Sequence, residues 1–349
     1  MVAATVIRRY AIALGGIVVL ALLAASPASP PAASTPLRDI LPLQLEEQIP
    51  VPNVAGRLDH FTADVKRRRL IFSALGNNSV EVIDTFEGKL IHTITGLREP
   101  QGVVYVAEFD KLVVANAGNG KVSIYDGSSY ALRKTLDFGE DPDNVRYDAN
   151  SKKVFVGYGR DDAGIGVIDP AIDGRLDTNF KTGGHPESFQ IEASGSHIFV
   201  NVPDAGNVVE AIDRKTGTVT KWPLKDLRQN YAMVLDEEDH RLFTVTRKTP
   251  TLVVLDTQTG REVARLRAAG ECDDVYFDAS RKRIYVIGGE GFISVFQQND
   301  PEHYELVANV PSTIGAKTGY FFAKRDRLYV GVPAKGNEPA AVWTYEAED

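Results

Sequence analysis

A basic or histidine residue followed by three strand-forming residues recurs seven times, and no other feature restricts the fold of this chain as much. The copies are Arg69-Leu70-Ile71-Phe72, Lys111-Leu112-Val113-Val114, Lys153-Val154-Phe155-Val156, His197-Ile198-Phe199-Val200, Arg241-Leu242-Phe243-Thr244, Arg283-Ile284-Tyr285-Val286 and Arg327-Leu328-Tyr329-Val330. They are spaced 42, 42, 44, 44, 42 and 44 residues apart. A second signal runs in phase, a strand ending in Asp at Asp84, Asp126, Asp169, Asp213 and Asp256, with degenerate sixth and seventh copies at Val295-Phe296-Gln297 and Thr344-Tyr345-Glu346. Gly88, Gly217 and Gly260 follow three of these aspartates by four positions. An Asp that accepts from the turn backbone, followed by a Gly free to take positive φ, makes a tight hairpin. The aspartates are therefore read as turn formers, not as catalytic groups.

Each unit holds four short strands and no helical period. A repeat of about 40–50 residues with four strands is one blade of a β-propeller, whose neighbours bury its two faces. The expected fold is all-β, seven four-stranded antiparallel blades in one domain over residues 43–349. The chain ends after the third strand of the last unit, Ala341–Glu346, which leaves that blade one strand short. Leu43–Pro52 is expected to supply the missing strand from the N-terminal side, as the outermost one. Pro50 and Pro52 suit such a place, because an edge strand can forgo a ladder donor.

The segment Lys111-Leu112-Val113-Val114-Ala115-Asn116-Ala117-Gly118-Asn119-Gly120-Lys121-Val122-Ser123-Ile124-Tyr125-Asp126 resembles the repeat of bacterial YVTN-type, or YncE-like, propellers. The likeness recurs in the other units and extends over about residues 43–349. It implies an exported binding protein or scaffold, with DNA binding suggested for some relatives. Related lactonase-like propellers hold a divalent metal at the channel mouth. The resemblance assigns no catalytic set.

The N-terminal region reads as a targeting segment. Arg8 and Arg9 precede an uncharged run from Tyr10 to Ala25, and small residues and Pro27 follow. That pattern describes a secretory signal peptide over residues 1–28, cleaved near 26–33, and the run is short for a membrane anchor. No cysteine follows it, so lipid attachment there is excluded. Residues 29–42 form a Pro/Ala/Ser-rich spacer that cannot pack a core. An extracytoplasmic protein, periplasmic or secreted, with no membrane span after processing and acting as a monomer, is expected. Losing Arg8 and Arg9 takes the net charge from −8 to −10. This acidity argues against nucleic acid as the main partner, since phosphate binding needs clustered positive charge. A single cysteine, Cys272, excludes a disulfide framework, a Cys-rich zinc site and covalent c-type haem.

Aligning the units on the basic anchor superposes the crossover and the start of each innermost strand. One column reads Asp59, Gln101, Asp143, Glu187, Tyr231, Asp273 and Lys317; the next reads His60, Gly102, Asn144, Ser188, Ala232, Asp274 and Thr318. Two residues before the first column stand Arg57, Glu99, Asp141, His185, Gln229, Glu271 and Gly315. Beyond them the positions turn apolar (Phe61, Val103, Val145, Phe189, Met233, Val275), as packing between blades requires. The polar set is thus expected to converge on the channel mouth. Arg57, Asp59, His60, Gln101, Asp143, Asn144, His185, Glu187, Tyr231, Asp273, Asp274 and Lys317 are the candidate ligand-binding residues.

Several carboxylates in one ring repel unless a cation, raised pKa values or the ring's own Lys317 and Arg57 compensate. Asp59, Asp143, Asn144, Glu187, Asp273 and Asp274 offer the oxygen donors that calcium or manganese takes, and zinc would prefer His60 and His185. The ring supports two readings: a binding site for a small molecule or protein, and a lactonase-like hydrolase with a divalent cation polarising a carbonyl. In the second, Glu187 or Asp274 would be the base and His60 or His185 a ligand or proton shuttle. Asn77, Asn116, Asn119, Arg160, Asp161, Asp204, Asn207, Arg247, Lys248 and Glu290, on the loops after the second strands, would widen the same face. On the opposite face Lys66-Arg67-Arg68-Arg69, Arg281-Lys282-Arg283, and Lys324-Arg325 with Arg327 read as solvated strand ends. No G-x-S-x-G elbow, H-E-x-x-H pair or P-loop is present. Glu271 and Asp273 beside Cys272 argue against an activated thiol.

Overall fold

The second strand of every blade begins on the repeat anchor. In the computed structural model, which describes residues 41–349, these strands are Arg69–Ala74, Lys111–Asn116, Lys153–Tyr158, His197–Val202, Arg241–Lys248, Arg283–Gly288 and Arg327–Val332. Each lies inside a four-stranded antiparallel sheet, and the described chain forms seven such sheets. The strand order in six of them follows the chain. In the last the order, from the outside in, is Leu43–Val51, Ala340–Ala347, Arg327–Val332 and Gly319–Phe322. Residues 1–28 and nearly all of the 29–42 spacer lie outside the described residues.

Closure therefore runs through the N-terminal strand. Leu43 pairs with Ala347 and Val51 with Ala340, with a bulge between Leu45 and Glu47. Pro50 faces Ala341 in the ladder and Pro52 lies in the turn beyond. Only Leu43, Ile49 and Val51 of this strand are buried. Ile49 and Val51 join Phe61, Leu70, Phe72, Tyr329 and Val342 in one apolar cluster across the seam between the last blade and the first.

The turn reading of the aspartates holds atom by atom. Asp84 accepts from the N–H groups of Phe86 and Glu87, Asp126 from Ser128 and Ser129, Asp213 from Lys215 and Thr216, and Asp256 from Gln258 and Thr259. Gly88, Gly217 and Gly260 all have positive φ. The sixth copy is delayed, not lost. Its third strand, Glu290–Asp300, runs three residues past Gln297, and Asp300 accepts from Glu302 and His303 before the strand His303–Ile314 returns.

The basic clusters differ from expectation in one respect. Arg67 and Arg281 are latches between blades, not solvated ends. Arg67 pairs with Asp64 of its own blade at 2.8 Å and with Asp110 of the next at 2.8 Å. Arg281 does the same with Asp278 at 3.1 Å and Asp326 at 2.6 Å. In both, an Asp ending the innermost strand stands three residues before the arginine, which gives the guanidinium a buried partner and turns it along the ring.

Candidate functional site at the channel mouth

The polar columns sit where the second strand's ladder outlasts the first strand. The N–H of Asp59 bonds the Ser73 carbonyl at 2.8 Å, that of Asp143 the Gly157 carbonyl at 2.9 Å, and that of Glu187 the Asn201 carbonyl at 3.1 Å. Each such bond pins a polar residue at the rim while the following apolar one turns between blades: Phe61, Val103, Val145, Phe189, Met233 and Val275 are all buried. Glu99, Asp141, Gln229, Glu271 and Gly315, in the column two residues earlier, all have positive φ. The crossover turns left-handed there, which Gly315 takes freely and the four L-residues take at about 1–2 kcal/mol each.

A cavity of about 210 Å³ opens at this mouth, walled by Arg57, Asp59, His60, Gln101, Asp141, Asp143, Arg160, His185, Glu187, Tyr231, Arg247 and Asp273. Nine of the twelve residues picked from the sequence line it. Three do not. Asn144 turns behind the wall, donating to the Glu187 carbonyl at 2.7 Å and lying 3.0 Å from His60 Nε2. Asp274 accepts from the Gly319 N–H at 3.0 Å and faces His60 Nδ1 at 3.3 Å. Lys317 sits beneath Asp273 at 2.8 Å. Each is consumed in holding a neighbour in place.

Asp141, Arg160 and Arg247 complete the wall. Arg160 pairs with Asp141 at 2.5 Å; Arg247 pairs with Asp273 of the next blade and lies 4.1 Å over the Tyr231 ring. The signal for these two arginines was their expected place on the loops after second strands, facing an acid-rich column; Arg160 is on such a loop, whereas Arg247 is still within its strand, Arg241–Lys248, which runs longer than expected.

The electrostatics centre on Asp143. His185 Nε2 is 3.7 Å from its Oδ2, and His60 Nε2 is 3.9 Å from its Oδ1. Burial opposes a charge on His60, but Asp274, Asp59 and Asp143 outweigh it and raise its pKa to about 9. His185 is likewise raised to about 9, burial being overcome by Asp143 and the Gly159 carbonyl 2.8 Å from its Nδ1. Burial, then the charge of Asp143, lifts Glu187 to about 7, with His185 and Arg247 opposing. Burial, Arg247 and Arg57 lower Lys317 to about 8. Cys272 is fully buried and its thiol is pushed up by burial and Asp274, so it is not an activated nucleophile.

The metal donor set does not come together. Asp59 is engaged by Arg57 at 2.5 Å, Asp273 by Arg247 and Lys317, Asp143 faces two histidines, and Asn144 and Asp274 point away from the cavity. Among the described residues no group of three or more His, Cys, Asp or Glu side chains is placed to hold a metal ion. Salt bridges compensate the aspartates of the ring, and Glu187 alone of its carboxylates has none among the described residues.

The raised Glu187 has a pH signature. Its folded pKa of about 7 lies above the usual 4.5, so its ionisation opposes folding progressively as pH rises from 4.5 through 7. Glu187→Gln is expected to raise the thermal midpoint above pH 7 and to leave it nearly unchanged below pH 4.5. Equal midpoints for the two proteins at pH 8 would show that Glu187 is solvated.

Solved structures share the fold. A chain of Kuenenia stuttgartiensis hydrazine synthase superposes with a TM-score of 0.71 at 17% identity, covering 80% of this chain and 94% of that one. A chain of the mitotic checkpoint complex gives 0.74 at 14%, covering 95% and 100%. The RRP9 WD40 repeats give 0.74 at 10%, covering 88% and 100%. The likeness is one of fold. No family model and no curated protein matches the sequence.

Proposed function

We propose that this protein is an exported β-propeller of YVTN, YncE-like type that binds a small, highly polar ligand at its channel mouth. The observation that carries this is a single cavity walled from six blades by charged and amide side chains and one tyrosine, with Glu187 left unpaired inside it. Beside it, the Oδ1 atom of Asp143 is buried without a hydrogen-bond partner among the described residues. A buried polar atom without a partner is costly, and a ligand that donates to this wall offsets that cost. Export rests on the N-terminal pattern of Arg8, Arg9 and the apolar run to Ala25. A binding role is in keeping with the WD40 neighbours, although their partners carry no weight at such low identity. The metal-dependent hydrolase reading is set aside, because every donor of its set except Glu187 is already engaged by an arginine, lysine, histidine or backbone partner. DNA binding is disfavoured by the −8 charge and by the engagement of Arg67 and Arg281 between blades.

Thermal unfolding against a library of small polar metabolites tests the reading, because a ligand that binds only the folded state raises the midpoint. Stabilising compounds are expected, with their effect lost in Glu187→Gln and Asp143→Asn. Added Ca²⁺, Zn²⁺ or Mn²⁺ is expected to leave the midpoint at its value in EDTA. Hits that act equally on both variants would place binding elsewhere, and a metal-dependent rise would restore the hydrolase reading.

A further inference from the structure

The charged side chains of the mouth are matched except in two places. Arg57 pairs with Asp59, Arg160 with Asp141, and the two histidines face Asp143 and Asp274. Asp273, by contrast, serves two cations, Arg247 and Lys317, so that group carries a surplus positive charge. Glu187 serves none: its carboxyl has no ion pair or hydrogen bond among the described residues. Glu187 and Arg247 line the same cavity.

Both ends are built for contact. Arg247 is fixed by its Nε bond to the Cys272 carbonyl at 3.1 Å and by the Tyr231 ring at 4.1 Å. Its Nη1 has no partner among the described residues. Next to Glu187, Asp143 is only 6% exposed, and its Oδ1 lacks a hydrogen-bond partner. Glu187 without an ion pair and the Asp273 group with one cation in excess are each unfavourable away from water, and a guest bearing both signs relieves the two ends together. A guest of one sign relieves only one of them and brings uncompensated charge into the cavity.

We propose that the cavity receives a small zwitterion, its cationic nitrogen held between Glu187 and Asp143 and its anionic group on Arg247. This deepens, and rests on, the reading of the channel mouth as a ligand site. The charged groups facing Glu187 are Asp143, His185, Arg247 and Asp204. A bound ammonium adds a positive neighbour and pulls the Glu187 titration midpoint below its free value, a change that a purely structural carboxylate would not show.

The test is an NMR titration of the purified protein with glycine, β-alanine, 4-aminobutanoate and 5-aminopentanoate, set against butylamine and butanoate. At least one amino acid is expected to bind tenfold or more tightly than both singly charged analogues and to lower the Glu187 midpoint. Glu187→Gln and Arg247→Met should each abolish that preference. If Arg247→Met fails to unfold cooperatively, Lys317→Met, which removes the surplus charge from behind the wall, should weaken the amino acid and butanoate but not butylamine. Butylamine or butanoate binding as tightly as the best amino acid, with shifts at the same wall, would overturn the zwitterion and leave the ligand site standing. No response to any of the six probes would also overturn it, and the metabolite library then decides separately whether the mouth binds anything.

Discussion

A chain beginning at Val54 is expected to lose cooperative folding. The strand Leu43–Val51 buries Leu43, Ile49 and Val51 almost completely and supplies the outer ladder of the last blade. At roughly 1.5–3 kcal/mol for each buried side chain, these three alone contribute about 5–9 kcal/mol. That is comparable with the whole stability of an ordinary domain, about 5–15 kcal/mol. The truncation also exposes Val342 and Tyr345 and opens the apolar cluster at the seam. Circular dichroism and thermal unfolding of the truncated chain should show a broad or absent transition, and a synthetic peptide of residues 41–52 added in trans should restore part of it. The point variant Ile49→Ala should cost about 2–5 kcal/mol. A truncated chain that unfolds cooperatively at the same midpoint would mean that the ring does not depend on this strand.

The second large effect is expected at Gly102, beside the channel-mouth column. A Cβ there would stand 2.1 Å from the Asp143 carbonyl oxygen and 2.8 Å from Val145 Cγ2. The first contact is with backbone, so no rotamer change relieves it, and the second and third blades must move apart. Overpacking typically costs about 1–3 kcal/mol, and Gly102→Ala belongs at the upper end. Because Asp143 carries the contact, its separation from His60 and His185 should change too. Gly102→Ala should therefore lower the thermal midpoint and also pull the Glu187 titration from about 7 toward 4.5. Gly217→Ala is the control. That glycine has φ +74 with nothing within 4 Å, so it should cost only the left-handed backbone penalty, about 1–2 kcal/mol, and leave Glu187 unchanged. A Gly102→Ala protein with unaltered midpoint and unaltered Glu187 titration would show that the blades give way freely.

Much of this molecule is local in origin, which is why it is legible in the chain. The anchor residue begins the second strand in all seven blades, and Asp84, Asp126, Asp213 and Asp256 cap their hairpins through backbone N–H groups two and three residues on. Those contacts need only a few consecutive residues, so the repeat reports them directly. The missing strand of the last unit likewise announced closure by Leu43–Val51. The same register carried nine wall residues to the cavity, since one period of the repeat is one step around the ring.

What each of those side chains does there was decided by contacts between blades. Arg247 reaches Asp273 and Lys317 lies beneath the same carboxylate, while Asn144 is spent on the Glu187 carbonyl and Asp274 on the Gly319 N–H. In sequence these residues are equivalent members of two columns. In the closed ring some face the cavity and others its supporting wall. The raised pKa of Glu187 arises in the same way, from burial and from Asp143 on the neighbouring blade, whose charge acts across space and not along the chain. Strands, turns and the number of blades can be read along the chain, because their determinants are short-range and repeated. Which charges neutralise one another and which are left over emerges on ring closure, because that depends on how seven similar units meet.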